Sequence, residues 1–278
     1  MTLFLVVIVA LGWTFGEIYQ SPVILYGAII FSLLMNFFSY WYSDKIVLKL
    51  AGARPATREA FFDLYTVVEN LAITAGLPLP KIYVIDDPAP NAFATGRDKD
   101  HAAVAVTSGL LQILNRTELE GVIAHELSHI GNKDILLSTV VVVLVGFISI
   151  LSHIFLRSNF RRGGDRDNKA SGILMLVGTI LAILSPIVAT LIQLAISRRR
   201  EFLADASGAL LTRYPEGLAT ALQKISQSNQ PLRRASEATA HLYIANPFGP
   251  RATAGLARLF MTHPPTEERI KALLGQNN

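Results

Sequence analysis

His125-Glu126-Leu127-Ser128-His129 holds two imidazoles four positions apart, with a carboxylate next to the first. On a helix, positions i and i+4 share one face, so both rings can converge on one metal ion. Glu126 lies one step round the helix, close enough to act as base toward a water in the metal's open coordination position. The flanking residues predict that helix. Thr117 and Glu120 have the spacing of a T-x-x-E capping box, and Leu119, Val122, Ile123, Leu127 and Ile130 form an apolar stripe at helical period. With 6 His and 11 Glu in 278 residues, H-E-x-x-H would arise by chance in roughly one chain in two hundred. The bland alternative, two surface histidines on a polar helix face, is correspondingly weak.

Composition points to a membrane. Hydrophobic residues make up 51% of the chain and charged ones 17%, against roughly 25% charged in soluble domains, and the mean hydropathy is +0.40. With no cysteine, a thiol protease, a disulfide framework and a thiolate metal site are all excluded. The net charge of +4 does not argue for nucleic acid, because the basic residues sit mostly beside apolar runs.

Four apolar segments stand out: 3–15 running on to Tyr19 past Glu17, 23–42, 135–156 and 172–197. A spanning helix needs about twenty apolar residues, so the last three qualify and the first is marginal. A cleaved signal peptide is a rival for the first. It lacks a basic start and runs into the second segment, which favours a retained hairpin. The chain then divides into an N-terminal transmembrane hairpin (1–42), a catalytic part (43–134), a second hairpin (135–197) with a basic linker (157–170), and a C-terminal catalytic part (198–278). Lys45, Lys49, Arg54 and Arg58 follow the second segment and place 43–134 in the cytoplasm by the positive-inside rule. The linker, with Arg157, Arg161, Arg162, Arg166 and Lys169, conflicts with full crossing by segments three and four. Either the rule is broken or that hairpin does not cross.

In the polar regions, Arg58 to Ala75 reads as an amphipathic helix, Lys81 to Ile85 as a strand, Asp86 to Asp100 as a loop and Ala102 to Thr107 as β-prone. Helices are expected over Arg198 to Leu211, Glu216 to Ser226 and Thr266 to Leu274. A catalytic zinc takes three protein ligands and a water, and no further His sits at short spacing, so the third is expected to be a carboxylate. Glu201 and Asp205 share a helix face, so one can bind the metal while the other holds a ligand imidazole. The alternative is that Glu201 pairs with its arginine neighbours. His129 lies six residues before segment three and Glu201 five after Ile196, so both fall within roughly 10 Å of the apolar boundary.

Asn91-Ala92-Phe93-Ala94-Thr95-Gly96, His125 to His129, Ser197-Arg198 with Arg200-Glu201-Phe202 and Ala204-Asp205, and Thr262-His263-Pro264-Pro265-Thr266-Glu267-Glu268-Arg269 together resemble the HtpX protease family. These are integral-membrane zinc endopeptidases related to the CAAX prenyl proteases. The resemblance runs over nearly the whole chain in motif order. It implies one Zn2+ per chain held by His125, His129 and Glu201, Glu126 as base, and Asp205 behind a ligand imidazole. It also implies a substrate cleft along Asn91, Ala92 and Phe93, and degradation of misfolded or damaged membrane proteins under envelope stress, on the cytoplasmic face of the cell membrane. The fold it implies is mainly α, a helical membrane protein with a small β element: a zincin-like (gluzincin) catalytic domain on about four transmembrane helices.

His263 either donates to the oxyanion of the tetrahedral intermediate or merely precedes a Thr266-capped helix. Asn91 either serves the cleft or forms a turn. His101, His153 and His241 are assigned to structure or solvent, although His153 lies within an apolar segment. The expected partners are polypeptide substrates, themselves membrane proteins, and the lipid bilayer, with no nucleic acid; the sequence does not set an oligomeric state. Two alternatives stand behind this reading. One is a CAAX-type prenyl-protein processing protease, disfavoured because that family is larger. The other is a metal-stabilised scaffold or holdase without turnover, disfavoured because it needs no base beside an open metal position.

Overall fold

The computed structural model describes residues 2–143, 178, 180, 198–228, 230–236, 238–249 and 264–275. The chain forms two units, one of Met1–Ser43 with Phe147–Pro186, the other of Asp44–Gly146 with Ile187–Asn278. His153, the 157–170 linker and His263 lie outside the described residues.

In the first unit, helix α1 (Thr2–Ile18) turns through Gln20, at φ 49°, into helix α2 (Pro22–Ala51), of which residues up to 43 belong to this unit. The helices approach closely at Gly12, where any β-carbon would collide with that of Ala28. Small residues at such crossings are how apolar helices pack where no hydrophobic effect drives them together. α2 is built inside out. Ser32 and Ser39 are buried, whereas Tyr26, Ile30, Leu33, Leu34, Phe37, Phe38 and Trp41 face outward. That is the arrangement a lipid surround stabilises and water does not. Its best window has a mean hydropathy of 1.8, and it is the one helix among the described residues long and apolar enough to cross a membrane. The expected count of four therefore has one clear counterpart; of the third and fourth segments, residues 135–143, 178 and 180 are helical and the rest lie outside the described residues. The helix also continues nine residues beyond the apolar segment that announced it, to Ala51.

The second unit is mainly helical around a small sheet. Strands β1 (Ala53–Pro55), β2 (Lys81–Ile85), β3 (Ala92–Gly96) and β4 (Ala102–Thr107) lie in the order β1-β2-β4-β3. β2 and β4 are parallel, and the two outer pairs are antiparallel. Because side chains alternate along a strand, the sheet feeds two cores. Ile82, Ala92, Ala94, Val104 and Val106 join the helical core on one face. Ile85, Phe93, Ala103 and Ala105 join Val47, Leu48 and Ala51 of α2 with Leu232, Leu242 and Tyr243 on the other. β3 falls within the stretch expected to be a loop. A strand buried on both faces shows no polar alternation, and this one is five residues flanked by Pro, Asn and Asp.

Around the sheet lie α3 (Phe62–Thr74), α4 (Ser108–Ile113), α5 (Arg116–Gly131), α6 (Arg198–Thr212), α7 (Pro215–Gln227) and α8 (Thr266–Leu273). α3 starts four residues later than the periodicity suggested and stops before Gly76, at φ +65°. α5 is packed by α3, α6, α7 and β3. Its cap differs from the expected one: Asn115, not Thr117, accepts from the N–H of Glu118, and the Glu118 carboxylate accepts from the Asn115 N–H. Thr117 instead donates to Asn115 Oδ1 at 2.8 Å, and Glu120 pairs with Arg116. Thr266 caps nothing either, because it is the first helical residue and Pro265 occupies the cap position.

Candidate metal and active site

α5 presents His125, Glu126 and His129, and α6 presents Glu201 and Asp205. The two helices can come this close because α6 has Gly208 where it meets the backbone of Ala124 and His125. His125 Nε2 and His129 Nε2 lie 3.2 Å apart. Glu201 closes the group, with Oε1 3.5 Å from His129 Nε2 and Oε2 3.8 Å from His125 Nε2. Ligand atoms around a tetrahedral zinc with bonds of about 2.05 Å are separated by about 3.3 Å, so the donor set fits one such ion.

The second nitrogen of each ring strengthens the fit. His125 Nδ1 is 2.9 Å from Asp205 Oδ1, and His129 Nδ1 is 3.1 Å from Asp134 Oδ2. A carboxylate at Nδ1 holds the proton there and leaves the Nε2 lone pair free to ligate. Asp134 reaches its place through the end of α5. Its N–H bonds the carbonyl of His129 at 2.9 Å, that of Lys133 bonds Ile130 at 3.2 Å, and Lys133 adopts φ 63°. This is a Schellman turn with lysine where glycine is usual.

Burial governs the electrostatics. It lifts the Glu126 carboxyl to about 7, with the His129 charge pulling against it, Glu201 pushing the same way and the nearby Ala94 N–H drawing it down. Burial lowers His125 to about 4 against the pull of Asp205. For His129 burial works downward too, but the Asp134 hydrogen bond, Glu201 and Glu126 outweigh it and hold the ring at about 9. Asp205, which burial alone would raise, is held at about 2 by Arg269 and His125.

A cavity of ≈ 30 Å³ opens beside these groups, lined by Ala94, His125, Glu126, His129, Glu201 and His241 among others. The profile of peptidase family M48 matches residues 59–277.

The chain belongs to peptidase family M48.

It is therefore a metallopeptidase, and the metal its family implies is generally zinc. As an M48 member it stands among the HtpX proteases that its motifs resembled. A protease HtpX homolog of Caldanaerobacter subterraneus subsp. tengcongensis is 49% identical over 280 residues, covering 98% of this chain and 92% of that one. One from Dictyoglomus turgidum is 53% identical over 246 residues, covering 88% and 80%. Another, from Pyrococcus furiosus, is 48% identical over 268 residues, covering 96% and 90%. The crystal structure of S. mikatae Ste24p superposes with a TM-score of 0.53 at 20% identity, over 96% of this chain and 62% of that one. At that identity it speaks for the fold alone, mainly helical with a small sheet.

Among the M48 chain's expected substrate residues, none lines the cavity. Asn91 ties the 244–246 segment to the sheet, donating to Ala245 O at 2.9 Å and accepting from Ala245 N at 3.2 Å. Phe93 is buried edge-to-face on Tyr243, and the carbonyl of Ala92 accepts from Ile244 N at 3.0 Å. The residue of β3 at the cavity is Ala94. Asp134, His241 and Arg269 were not foreseen at the site. His241, assigned earlier to structure or solvent, lines the cavity with Nε2 2.9 Å from Ser138 O. Arg269 stood in a quoted motif without a role.

Proposed function

We propose that the chain is a multi-pass membrane zinc endopeptidase that hydrolyses peptide bonds of misfolded or damaged membrane proteins, with its site on the cytoplasmic side. The observation that carries the chemistry is the convergence of His125 Nε2, His129 Nε2 and the Glu201 carboxylate within 4.8 Å of one another, beside the buried Glu126. His125, His129 and Glu201 would hold one zinc ion, which when bound polarises the scissile carbonyl and makes water more acidic. Glu126 takes the proton from the attacking water and passes it to the leaving amine nitrogen. In the metal-free fold burial raises this carboxyl, and the charge of a bound cation beside it would draw it back toward the ionised form a base needs. Asp205 and Asp134 keep the two imidazoles in the ligating tautomer. His263 donates to the developing oxyanion.

β3 is an edge strand, and an extended substrate can pair with such an edge. The side away from β4 is taken at Ala92 by the N–H of Ile244 and at Gly96 by the Thr139 hydroxyl, at 3.2 Å from the Gly96 N–H. Ala94, between them, faces the cavity and Glu126. Substrate backbone therefore meets β3 at Ala94, with Asn91, Ala92 and Phe93 holding the strand in place. The cytoplasmic placement is supported by Lys45 and Lys49 in the last part of α2 and by Arg54 and Arg58 just after it.

The test is Glu126→Gln in the detergent-purified full chain, assayed on an unfolded membrane protein. Zinc content should stay at one per chain while cleavage falls at least about a hundredfold. Cleavage at the wild-type rate would remove Glu126 from its role.

A further inference from the structure

Arg269 comes from α8, far from the H-E-x-x-H helix in sequence, yet it is 1% exposed and lies against the candidate ligands. Its Nε and Nη2 grip both oxygens of Asp205, at 2.8 and 2.7 Å. Asp205 in turn accepts from His125 Nδ1 at 2.9 Å. Nη2 also stands 3.4 Å from both ring nitrogens of His125. Nη1 donates to Ile244 O at 3.2 Å and lies 3.9 Å from Glu201 Oε2.

A carboxylate on a ligand imidazole can slide or rotate unless something fixes it in turn. A guanidinium fork sets both oxygens at once, which a lysine cannot do. The fork here leaves one Asp205 oxygen, Oδ1, shared between Nη2 and His125 Nδ1, with little freedom for either. We infer that Arg269 is a positioning residue of the metal centre, acting through Asp205 to fix the orientation and tautomer of His125. The inference rests on the proposed zinc site. A strut that merely docks α8 would use the same salt bridge but would leave the metal's surroundings unchanged when softened.

The experiment uses the detergent-solubilised full chain, with Zn2+ affinity measured by chelator competition and the visible absorption of the Co2+-substituted protein as a report on ligand geometry. Arg269→Gln should weaken Zn2+ binding by roughly 10–100-fold, the usual cost of losing a partner behind a ligand, and shift the Co2+ bands. Arg269→Lys should recover only part of both. In an Asp205→Asn background, Arg269→Gln should cost less than about threefold more, because the two act in series. This double variant also removes the unpaired buried carboxylate, so it serves as the readout if Arg269→Gln alone does not fold. Wild-type affinity and spectrum in Arg269→Gln, or a full additional loss on top of Asp205→Asn, would overturn the inference. Failure of the wild-type chain to bind Zn2+ at all would instead overturn the zinc site beneath it.

Discussion

Gly208 of α6 lies directly against the backbone of His125 in α5: a β-carbon at Gly208 would stand 3.0 Å from the His125 amide nitrogen and 3.2 Å from the Ala124 carbonyl carbon. The spacing of these two helices sets how near Glu201 and Asp205 come to the imidazoles, about two turns and one turn away from the glycine. Backbone, unlike a flexible side-chain end, cannot step aside. Gly208→Val should therefore push α6 outward, destabilise the fold by about 1–3 kcal/mol through overpacking, and weaken Zn2+ binding by roughly tenfold or more. Equilibrium unfolding and chelator competition read the two effects; wild-type Zn2+ affinity in this variant would show that the contact does not set the site.

The start of α5 gives a cleaner stability test. Asn115→Ala removes the side chain that accepts from the Glu118 N–H and should cost about 1 kcal/mol. Thr117→Ala loses only a hydroxyl that donates to Asn115 and should stay within about 0.5 kcal/mol of wild type. Thermal melts of the two variants decide between the caps, and a larger loss for Thr117→Ala would contradict the observed geometry.

That pair also shows what the sequence could and could not reveal. Asn115-x-x-Glu118 and Thr117-x-x-Glu120 both satisfy the capping pattern, two residues apart, and only the packed helix separates them. The H-E-x-x-H helix was legible because its spacing and its apolar stripe agree. β2 and β4 were legible because their bounds are marked by turn residues. β3 was hidden because burial on both faces erases alternation. Mainly helical structure around a small sheet was thus readable, whereas a single spanning helix stands clear among the described residues. At the site, chemistry called for a carboxylate as third ligand and pointed to Glu201 or Asp205 on one helix face, and the resemblance to the HtpX proteases chose Glu201. Asp134 and Arg269 could not be reached that way. One is delivered by a Schellman turn on a lysine, the other by a helix whose partner Asp205 is 64 positions away, and neither leaves a local signature.

Metal uptake should expel a proton. In the metal-free fold, Asp134, Glu201 and Glu126 overcome burial and hold His129 at about 9, above the ordinary 6.5, so this ring is charged at neutral pH. The stabilisation from that raised value is complete below pH 6.5 and is lost as pH rises through 9. A ligand must be neutral; Zn2+ binding near pH 7.5 should release about one proton from His129, and apparent affinity should climb with pH up to about 9. Calorimetry in buffers of differing ionisation enthalpy measures the release. Asp134→Asn, which takes the negative charge out of the hydrogen bond that raises the ring, should diminish it. Proton-free binding with pH-independent affinity over this range would contradict the assigned partners.

The most direct measurement is the position of the metal itself. A zinc-edge anomalous map from crystals of the zinc-loaded protein should show one site per chain, within about 2.0–2.2 Å of His125 Nε2, His129 Nε2 and a Glu201 oxygen. A peak that leaves Glu201 outside the coordination sphere, or that sits away from the two imidazoles, would contradict it.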